Sequence, residues 1–245
     1  MITLKIREEM AQIKPKVFSC SLAMAYNDVA FLYKDLKRYK EARSYYIKAI
    51  KIFDQMSQER SAVTDKRNVS TVYHNYACLE KADKHYEDAE KYYIKAMIIR
   101  EQMDLINPDA LGGDLADTYY GLANLYKDTK RFQEAEMYYT KVLNIYERIS
   151  HKRPETVEID LIACNHILAS LYRDTQRYQE AEKYYVREME LAERMYKRDS
   201  ENARYLVCAY HNLTTLYKDM KRYAEEASFH KKEIDLLKKI AKESQ

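Results

Sequence analysis

A cationic side chain recurs along this chain at intervals of 45 to 47 residues. The five positions are Lys34, Lys81, Lys127, Arg173 and Lys218, and we call them the cation row. Lysine and arginine bind carboxylates through charge-assisted hydrogen bonds. A regular row of such cations predicts a surface that could hold an acidic polypeptide segment.

A second row of polar and aromatic side chains precedes the cation row by seven residues. Its members, which we call the amide–ring row, are Asn27, His74, Tyr120, His166 and His211. Phe31 and Asn124 each lie three residues before a member of the cation row, one helical turn away. Side chains of these types can contact the backbone of an extended peptide. The two rows, with Phe31 and Asn124, are the twelve candidate peptide-binding residues.

The cation row also has an interpretation that involves no ligand. Cations are favoured in the last turn of a helix, where the backbone carbonyls carry a partial negative charge. An aspartate directly follows four of the five cations and partly cancels their field, at Asp35, Asp128, Asp174 and Asp219. The sequence alone leaves both interpretations open.

Three histidines in the amide–ring row raise the question of a metal site. Packed helices lie about 8–10 Å apart, whereas zinc needs its nitrogen ligands about 2 Å from one point. The four cysteines lie far apart, at Cys20, Cys78, Cys164 and Cys208. The chain also has no glycine-rich phosphate loop and no nucleophile motif. We therefore expect no metal, no cofactor and no enzymatic activity.

Charge and hydropathy argue against two further classes of partner. The chain has 42 Lys and Arg against 39 Asp and Glu, whereas nucleic-acid-binding domains carry clustered basic charge. No apolar run approaches the roughly 20 residues of a membrane-spanning helix. Residues 1–15 are charged and lack the apolar segment of a signal peptide. We expect a cytoplasmic protein that binds neither nucleic acid nor a membrane.

The elements that carry the two rows must repeat with the same interval. The motif Tyr-Lys-Asp-x-Lys-Arg-Tyr, followed by Glu-Ala and Tyr-Tyr, recurs with its aromatic residue at Tyr39, Tyr86, Phe132, Tyr178 and Tyr223. Only 3 Gly and 3 Pro occur in 245 residues, which favours long helices and short connections. Each repeat predicts two helices of roughly 20 residues, here called helix A and helix B. We expect no sheet.

Local signals predict where the A helices begin and how closely they pack. Prolines predict a helix start, and they stand at the same place in three repeats, at Pro15, Pro108 and Pro154. Gly112 and Gly113 predict a local break near the start of the third helix A. A small residue recurs on the apolar face of helix A and should admit a neighbouring helix, at Ala30, Ala77, Ala123 and Ala169.

These positions resemble the tetratricopeptide repeat (TPR). The closest resemblance lies in Leu122-Ala123-Asn124-Leu125-Tyr126 and Phe132-Gln133-Glu134-Ala135-Glu136, and it extends over about residues 21–240. The interval exceeds the roughly 34 residues of the standard repeat and is similar to that of the long-period repeats in kinesin light chain and bacterial TPR proteins. The resemblance implies an all-α, right-handed α-solenoid of five helix-turn-helix repeats. We expect a single array over residues 1–245, with an N-terminal helix at 1–14 and repeats at about 15–60, 61–106, 107–152, 153–198 and 199–245.

The chain departs from the TPR pattern at several positions, including Glu226 and His230 of the fifth repeat, where Ala and Tyr are expected. Glu80 occupies a slot that holds Tyr in the other repeats. Glu188 and Glu233 occupy a slot in the last two repeats where the family usually has Ala. The sequence alone assigns no function to these departures.

The resemblance implies a non-enzymatic scaffold or adaptor that acts through protein–protein interaction. TPR proteins bind a partner polypeptide or peptide in a concave groove lined by the A helices, so the twelve candidate residues would line that groove. We expect a monomer whose partner is a protein or an acidic peptide. Two alternatives stay open, a regulatory peptide-sensing module of a larger effector and a self-associating structural scaffold.

Overall fold

The computed structural model describes residues 2–57 and 63–243, and within these ranges every regular element is a helix. The α-helices are α1 (Ile2–Ile13), α2 (Pro15–Asp35), α3 (Tyr39–Ser57), α4 (Val63–Ala82), α5 (Tyr86–Ile106), α6 (Pro108–Asp128), α7 (Phe132–Ser150), α8 (Glu158–Asp174), α9 (Tyr178–Arg198), α10 (Ala203–Asp219) and α11 (Tyr223–Glu243). The even-numbered helices are the predicted A helices, and the odd-numbered helices from α3 onward are the predicted B helices. The predicted all-α fold of helix-turn-helix repeats is confirmed.

The chain divides into two compact units. The N-terminal unit is Met1–Arg131 and contains α1 to α6, whereas the C-terminal unit is Phe132–Gln245 and contains α7 to α11. In the N-terminal unit, α2 packs on α3, α4 packs on α5, and α5 packs on α6. In the C-terminal unit, each helix from α7 to α10 packs on the next helix along the chain.

Two of the three predicted helix starts are confirmed. Helices α2 and α6 begin at Pro15 and Pro108. Pro154 begins a short 3₁₀ turn instead, and α8 starts at Glu158. Between them, Val157 is buried and has an extended φ of −130°, so the chain cannot continue as one helix from the proline. The predicted break at Gly112 and Gly113 is wrong, because α6 runs through both residues without interruption.

Each repeat turns from helix A to helix B through a residue in the left-handed conformation. Its φ lies between 58° and 63° at all five turns, at Lys37, Lys84, Lys130, Gln176 and Lys221. At Lys84, the backbone N–H donates to the Lys81 carbonyl at 3.1 Å, and the next N–H donates to the Glu80 carbonyl at 2.8 Å. This is the Schellman arrangement that closes a helix. A side chain with a Cβ adopts it only at a cost in free energy.

Small side chains allow the helices to pack closely. The alanines predicted on helix A are fully buried, and so are those of the recurring Glu-Ala pair on helix B. They are Ala30, Ala77, Ala123 and Ala169 on helix A, and Ala42, Ala89, Ala135 and Ala181 on helix B. A close approach lies at Gly121, where a Cβ would fall 2.5 Å from Cε1 of Tyr93. Because a real Cβ atom could not occupy that space, the Tyr93 ring depends on a glycine in the facing helix.

Hydrogen bonds from a tyrosine and an arginine join the third, fourth and fifth repeats each to the repeat before it. Tyr126 donates its hydroxyl to Glu90 at 2.8 Å, and Arg131 donates to the other oxygen of the same carboxylate at 2.8 Å. The same arrangement, which we call the repeat lock, recurs in the C-terminal unit. There it consists of Tyr172, Arg177 and Glu136, and again of Tyr217, Arg222 and Glu182.

The second repeat contains a charge-exchanged version of this lock. Glu80 stands in the place of the tyrosine and is 1% exposed. Arg43 stands in the place of the acid and donates to both Glu80 oxygens, at 2.7 and 2.8 Å. His85 stands in the place of the arginine, and its Nδ1 lies 3.0 Å from Glu80. Asp83 also accepts from Arg43, at 2.6 Å. The departure at Glu80 is therefore one member of a compensated set.

We expect Glu80→Tyr alone to lower the free energy of unfolding by about 2 kcal/mol, because Arg43 loses the hydrogen bonds to its buried carboxylate partner and keeps only Asp83. The triple variant Glu80→Tyr, Arg43→Glu and His85→Arg rebuilds the lock of the other repeats. It should recover most of the loss in urea unfolding followed by circular dichroism. A triple variant no more stable than Glu80→Tyr would show that the two sets of residues are not equivalent.

The left-handed turns predict a stabilising substitution. Lys84→Gly should raise the free energy of unfolding by about 0.5–1 kcal/mol, since glycine adopts positive φ without steric cost. Lys91→Gly is the matched control, because Lys91 is an exposed lysine inside α5. There glycine should lower stability by about 1 kcal/mol. Thermal and urea unfolding of the two variants should change in opposite directions, and a loss of stability in both would contradict the proposed role of the turn.

Candidate functional site

The cation row is engaged in ion pairs between successive repeats. Lys81 Nζ lies 2.9 Å from Asp128, and Arg173 Nε lies 3.8 Å from Asp219. In each pair the aspartate belongs to the following repeat, on the next helix A. Asp128 and Asp219, which directly follow Lys127 and Lys218 in sequence, therefore each pair with the cation of the preceding repeat. Part of the cation row serves the packing of the repeats.

The other members of the cation row differ in their surroundings. Lys34 lies 3.7 Å from Asp35 and places its Nζ 4.3 Å from the centre of the Phe31 ring. Lys127 is half-buried on α6. Lys218 is exposed on α10, in the last repeat.

The first two members of the amide–ring row do not lie where the helical wheel places them. Asn27 is only 5% exposed and accepts a hydrogen bond from Asn75 at 2.9 Å. The expectation that its side chain lines an open surface is therefore wrong. The reason is that α4 packs against both α2 and α3, so that a neighbouring repeat covers part of the face opposite helix B.

His74 lies within a polar cluster of the N-terminal unit. Its Nδ1 lies 3.4 Å from the Thr118 hydroxyl, its Nε2 lies 3.5 Å from the Cys78 sulfur, and its ring meets Tyr93 edge-on. Burial, together with the positive charge of Arg100, lowers the pKa of His74 to about 3. The ring is neutral at physiological pH and adds no positive charge to the surface.

A buried arginine supports the same cluster. Arg100 is 6% exposed and donates to the Thr118 hydroxyl at 2.6 Å and to the Asp114 carbonyl at 2.5 Å. Burial lowers its pKa. No sequence motif pointed to Arg100. The signal in the sequence was a charged residue at a helix B position that is uncharged in other repeats, where it holds Phe53, Tyr146 and Ala192.

Two aromatic side chains on the A helices of the N-terminal unit are exposed. Phe31 on α2 is 44% exposed, and Tyr120 on α6 is 42% exposed. Asn124, one turn after Tyr120, donates its amide to the Tyr120 carbonyl at 3.0 Å and is half-buried. Exposed rings on a polar face are the type of side chain that contributes most to binding in protein interfaces.

The last two histidines of the amide–ring row each contact a glutamate on the following B helix. His166 Nδ1 lies 3.4 Å from Glu188 and 3.0 Å from the amide nitrogen of Asn212. His211 Nδ1 lies 3.2 Å from Glu233. Glu188 and Glu233 are two of the departures from the TPR pattern. The sequence signal for these two contacts was a glutamate in each of two consecutive repeats, at a position where the family usually has alanine.

The described residues give no support to a metal or membrane role. Within residues 2–57 and 63–243, no three His, Cys, Asp or Glu side chains converge in a group that could hold a metal ion. None of the described helices combines the length and the apolar character that crossing a bilayer requires. All four cysteines are unpaired thiols, and burial raises the pKa of Cys164 to about 12.

The low pKa of His74 predicts a specific dependence of stability on pH. The unfolded chain binds a proton at this residue near pH 6.5, whereas the folded chain does so only near pH 3. The free energy of unfolding must therefore fall as the pH drops through this window. Between pH 6.5 and pH 4.5 the unaltered chain loses part of its free energy of unfolding. We expect His74→Gln to make that loss smaller by about 1–2 kcal/mol, measured by urea unfolding at each pH. An unchanged loss would mean that folded His74 takes up a proton.

Comparison with known proteins places this geometry in a family. Sequence models described as tetratricopeptide repeat match residues 21–102, 115–150 and 163–201. BtubC (BKLC) from P. vanneervenii has a similar structure, with a TM-score of 0.72 and 17% identity over 97% of this chain and 88% of that chain. A candidate kinesin light chain from Podospora anserina, with nearly identical TPR-like repeats, gives a TM-score of 0.68 and 15% identity over 91% of this chain and 97% of that chain.

A third similar structure is a Rap protein complexed with Competence and Sporulation Factor. It gives a TM-score of 0.56 and 16% identity, and the match covers 91% of this chain and 65% of that chain. No curated protein sequence matches the chain. The three sequence matches together span well over half of the residues, and the helix pairs agree with them. The chain belongs to the tetratricopeptide repeat family.

Proposed function

We propose that this chain is a non-enzymatic scaffold that binds a segment of a partner polypeptide on the exposed faces of its A helices. The observation that carries the proposal is the exposure of two aromatic side chains on A helices, Phe31 in the first repeat and Tyr120 in the third. Their positions within the repeat differ by one helical turn. The twelve candidate residues remain candidates within this proposal. Asn27 and His74 act in it through the packing that positions their neighbours.

The aromatic side chains supply the main contact energy in this proposal. The Lys34 ammonium lies over the Phe31 ring, so a bound segment would meet an aromatic surface with a cation beside it. Tyr120 offers an exposed ring with a polar hydroxyl group. Both residues stand on helices whose opposite faces are packed, so a ligand would order little of the receptor on binding.

The preference for an acidic partner is weaker than the sequence suggests. Lys81 and Arg173 already face aspartates of the following repeats, which reduces the charge that a ligand would meet. The acidic preference then falls mainly on Lys34 and Lys218. We propose a monomeric, cytoplasmic protein, with protein or peptide as its partner.

The family supports binding rather than catalysis, because TPR arrays generally act as interaction modules. The Rap protein in the similar structure is complexed with Competence and Sporulation Factor, which favours the regulatory alternative as a second candidate. In that case this chain would sense a peptide on behalf of an effector. Both candidates require the same binding event on the A helices.

Selection from a displayed library of natural peptide segments tests the proposal. Segments that bind the chain should lose at least tenfold in affinity for the variant Phe31→Ala with Tyr120→Ala, since aromatic residues at interface centres contribute about 2 kcal/mol or more. Tyr223→Ala is the matched control, because Tyr223 is an exposed tyrosine at the start of α11. Its binding by fluorescence anisotropy should equal that of the unaltered chain.

Two results would contradict the proposal. Equal affinity of the selected segments for the double variant and the unaltered chain would remove the A-helix faces of the N-terminal unit as the site. A failure to select any segment, together with multimers in light scattering, would favour the self-associating scaffold instead.

A further inference from the structure

A cavity of about 470 Å³ opens in the C-terminal unit between side chains of α8, α9, α10 and α11. Its apolar wall includes Ile159, Ile167 and Val207. Its polar wall contains His166, Glu188, His211 and Glu233, the two histidine–glutamate contacts described above. The residues that line it include no lysine and no arginine. The cavity therefore presents two acidic groups beside aliphatic surface.

Glu188 has an unsatisfied hydrogen-bonding atom in this cavity. The side chain is 2% exposed, and its Oε1 accepts a hydrogen bond from Asn212 Nδ2 at 3.0 Å. Its Oε2 is buried and has no hydrogen-bond partner. Buried polar atoms almost always have a partner, and a buried carboxylate without one is costly. The missing donor is what a ligand would supply.

The nearby histidine does not supply that donor. The Glu188 carboxylate accepts from Asn212, which fixes the amide with its nitrogen toward both Glu188 and His166. An amide nitrogen only donates, so Nδ1 of His166 must be the acceptor in its 3.0 Å contact with Asn212. Its proton is then on Nε2. Although Nδ1 lies 3.4 Å from Glu188 Oε2, it has no hydrogen to offer.

The equivalent glutamate of the next repeat also has an oxygen without a hydrogen-bond partner. Glu233 contacts His211 through Oε1 at 3.2 Å, whereas its Oε2 is buried and has no hydrogen-bond partner. His230 lies 3.8 Å from that oxygen, beyond hydrogen-bond distance. Two carboxylates at equivalent positions of consecutive repeats therefore each leave one oxygen unsatisfied. A metal ion is not the occupant that these residues favour, because no three metal-binding side chains converge among the described residues.

We infer that this cavity binds a lysine or arginine side chain of the partner polypeptide, adjacent to an apolar residue. The inference rests on the proposed scaffold function and specifies the partner's chemistry in the C-terminal unit. A guanidinium or ammonium group supplies several N–H donors and the charge that two carboxylates complement. The apolar neighbour packs against Ile159, Ile167 and Val207. For the bound cation to reach Glu188 Oε2, which is buried, the half-exposed His166 ring beside it must rotate.

The experiment uses the full chain with ¹³C-labelled isoleucine methyl groups. The probe is the tripeptide acetyl-Leu-Arg-Leu-amide, and its control is the same peptide with citrulline, which keeps the shape of arginine and removes the charge. We expect the arginine peptide to shift the methyl resonances of Ile159 and Ile167 and to bind at least tenfold more tightly than the citrulline peptide. Equal binding of the two peptides would overturn the inference.

Substitutions assign the binding to the carboxylates. Glu188→Gln keeps the shape and the bond to Asn212 but removes the charge, and it should weaken the arginine peptide at least tenfold. Glu190→Gln is the control, because Glu190 is an exposed glutamate on the same helix, and its affinity should be unchanged. Glu233→Gln is a second variant that repeats the test if Glu188→Gln alters thermal unfolding. Unchanged affinity in both cavity variants would overturn the inference.

This outcome is separable from the test of the scaffold function. If library-selected segments bind through Phe31 and Tyr120 while the arginine and citrulline peptides bind equally, the cavity inference fails and the scaffold function stands. If the arginine peptide binds at Glu188 but no natural segment is selected, the cavity stands as a cation-binding site and the scaffold function fails.

Discussion

The hydrogen bonds that join one repeat to the next are the interaction on which the rest of this structure depends. A pair of helices is too thin to bury its own apolar face and needs a neighbour on each side. A tyrosine such as Tyr217 meets this need twice, because its ring packs within its repeat and its hydroxyl donates to Glu182 of the previous one. Phenylalanine would fill the same space but leave the carboxylate with one donor fewer. The repeat lock accounts in this way for three of the 25 Tyr in the chain, at Tyr126, Tyr172 and Tyr217.

The same constraint can be met by different residues, provided that they change together. At the first junction, Arg43 and Glu80 exchange the signs that acid and base carry at the other junctions, and His85 completes the set. Read singly, Glu80 looks like an error in a repeat. Read with residues 37 positions before it and five positions after it, it is a compensated exchange. A residue that departs from the repeat pattern should therefore be interpreted together with the residues that it contacts in the neighbouring repeat.

Periodicity predicts some features of this fold and not others, for a physical reason. The interval and the buried alanines, such as Ala123, follow from the packing of one helix on its partner and were predictable. The helical wheel places Asn27 on the open face, but it considers one helix at a time, whereas the next repeat covers that residue. The start of α8 was missed because Val157 turns into the core and ends the turn begun at Pro154. The sequence showed Glu188 and Glu233 only as departures from the TPR pattern, and the cavity that they line could not be predicted from it.

Charges within a stacked array hold the stack first and a ligand second. Lys81 and Arg173 belong to the row that the sequence predicts as ligand-binding, yet each faces an aspartate of the following repeat. A charged group that lacks a partner within the stacked repeats therefore indicates a ligand site better than one that is already paired. Glu188 occupies a slot where alanine would pack without any polar atom, and its burial costs free energy that one hydrogen bond from Asn212 does not offset in full. On the cavity inference, a donor brought by a partner would convert that cost into binding free energy, and the C-terminal unit would select a cation although the cation row alone suggests an acidic partner.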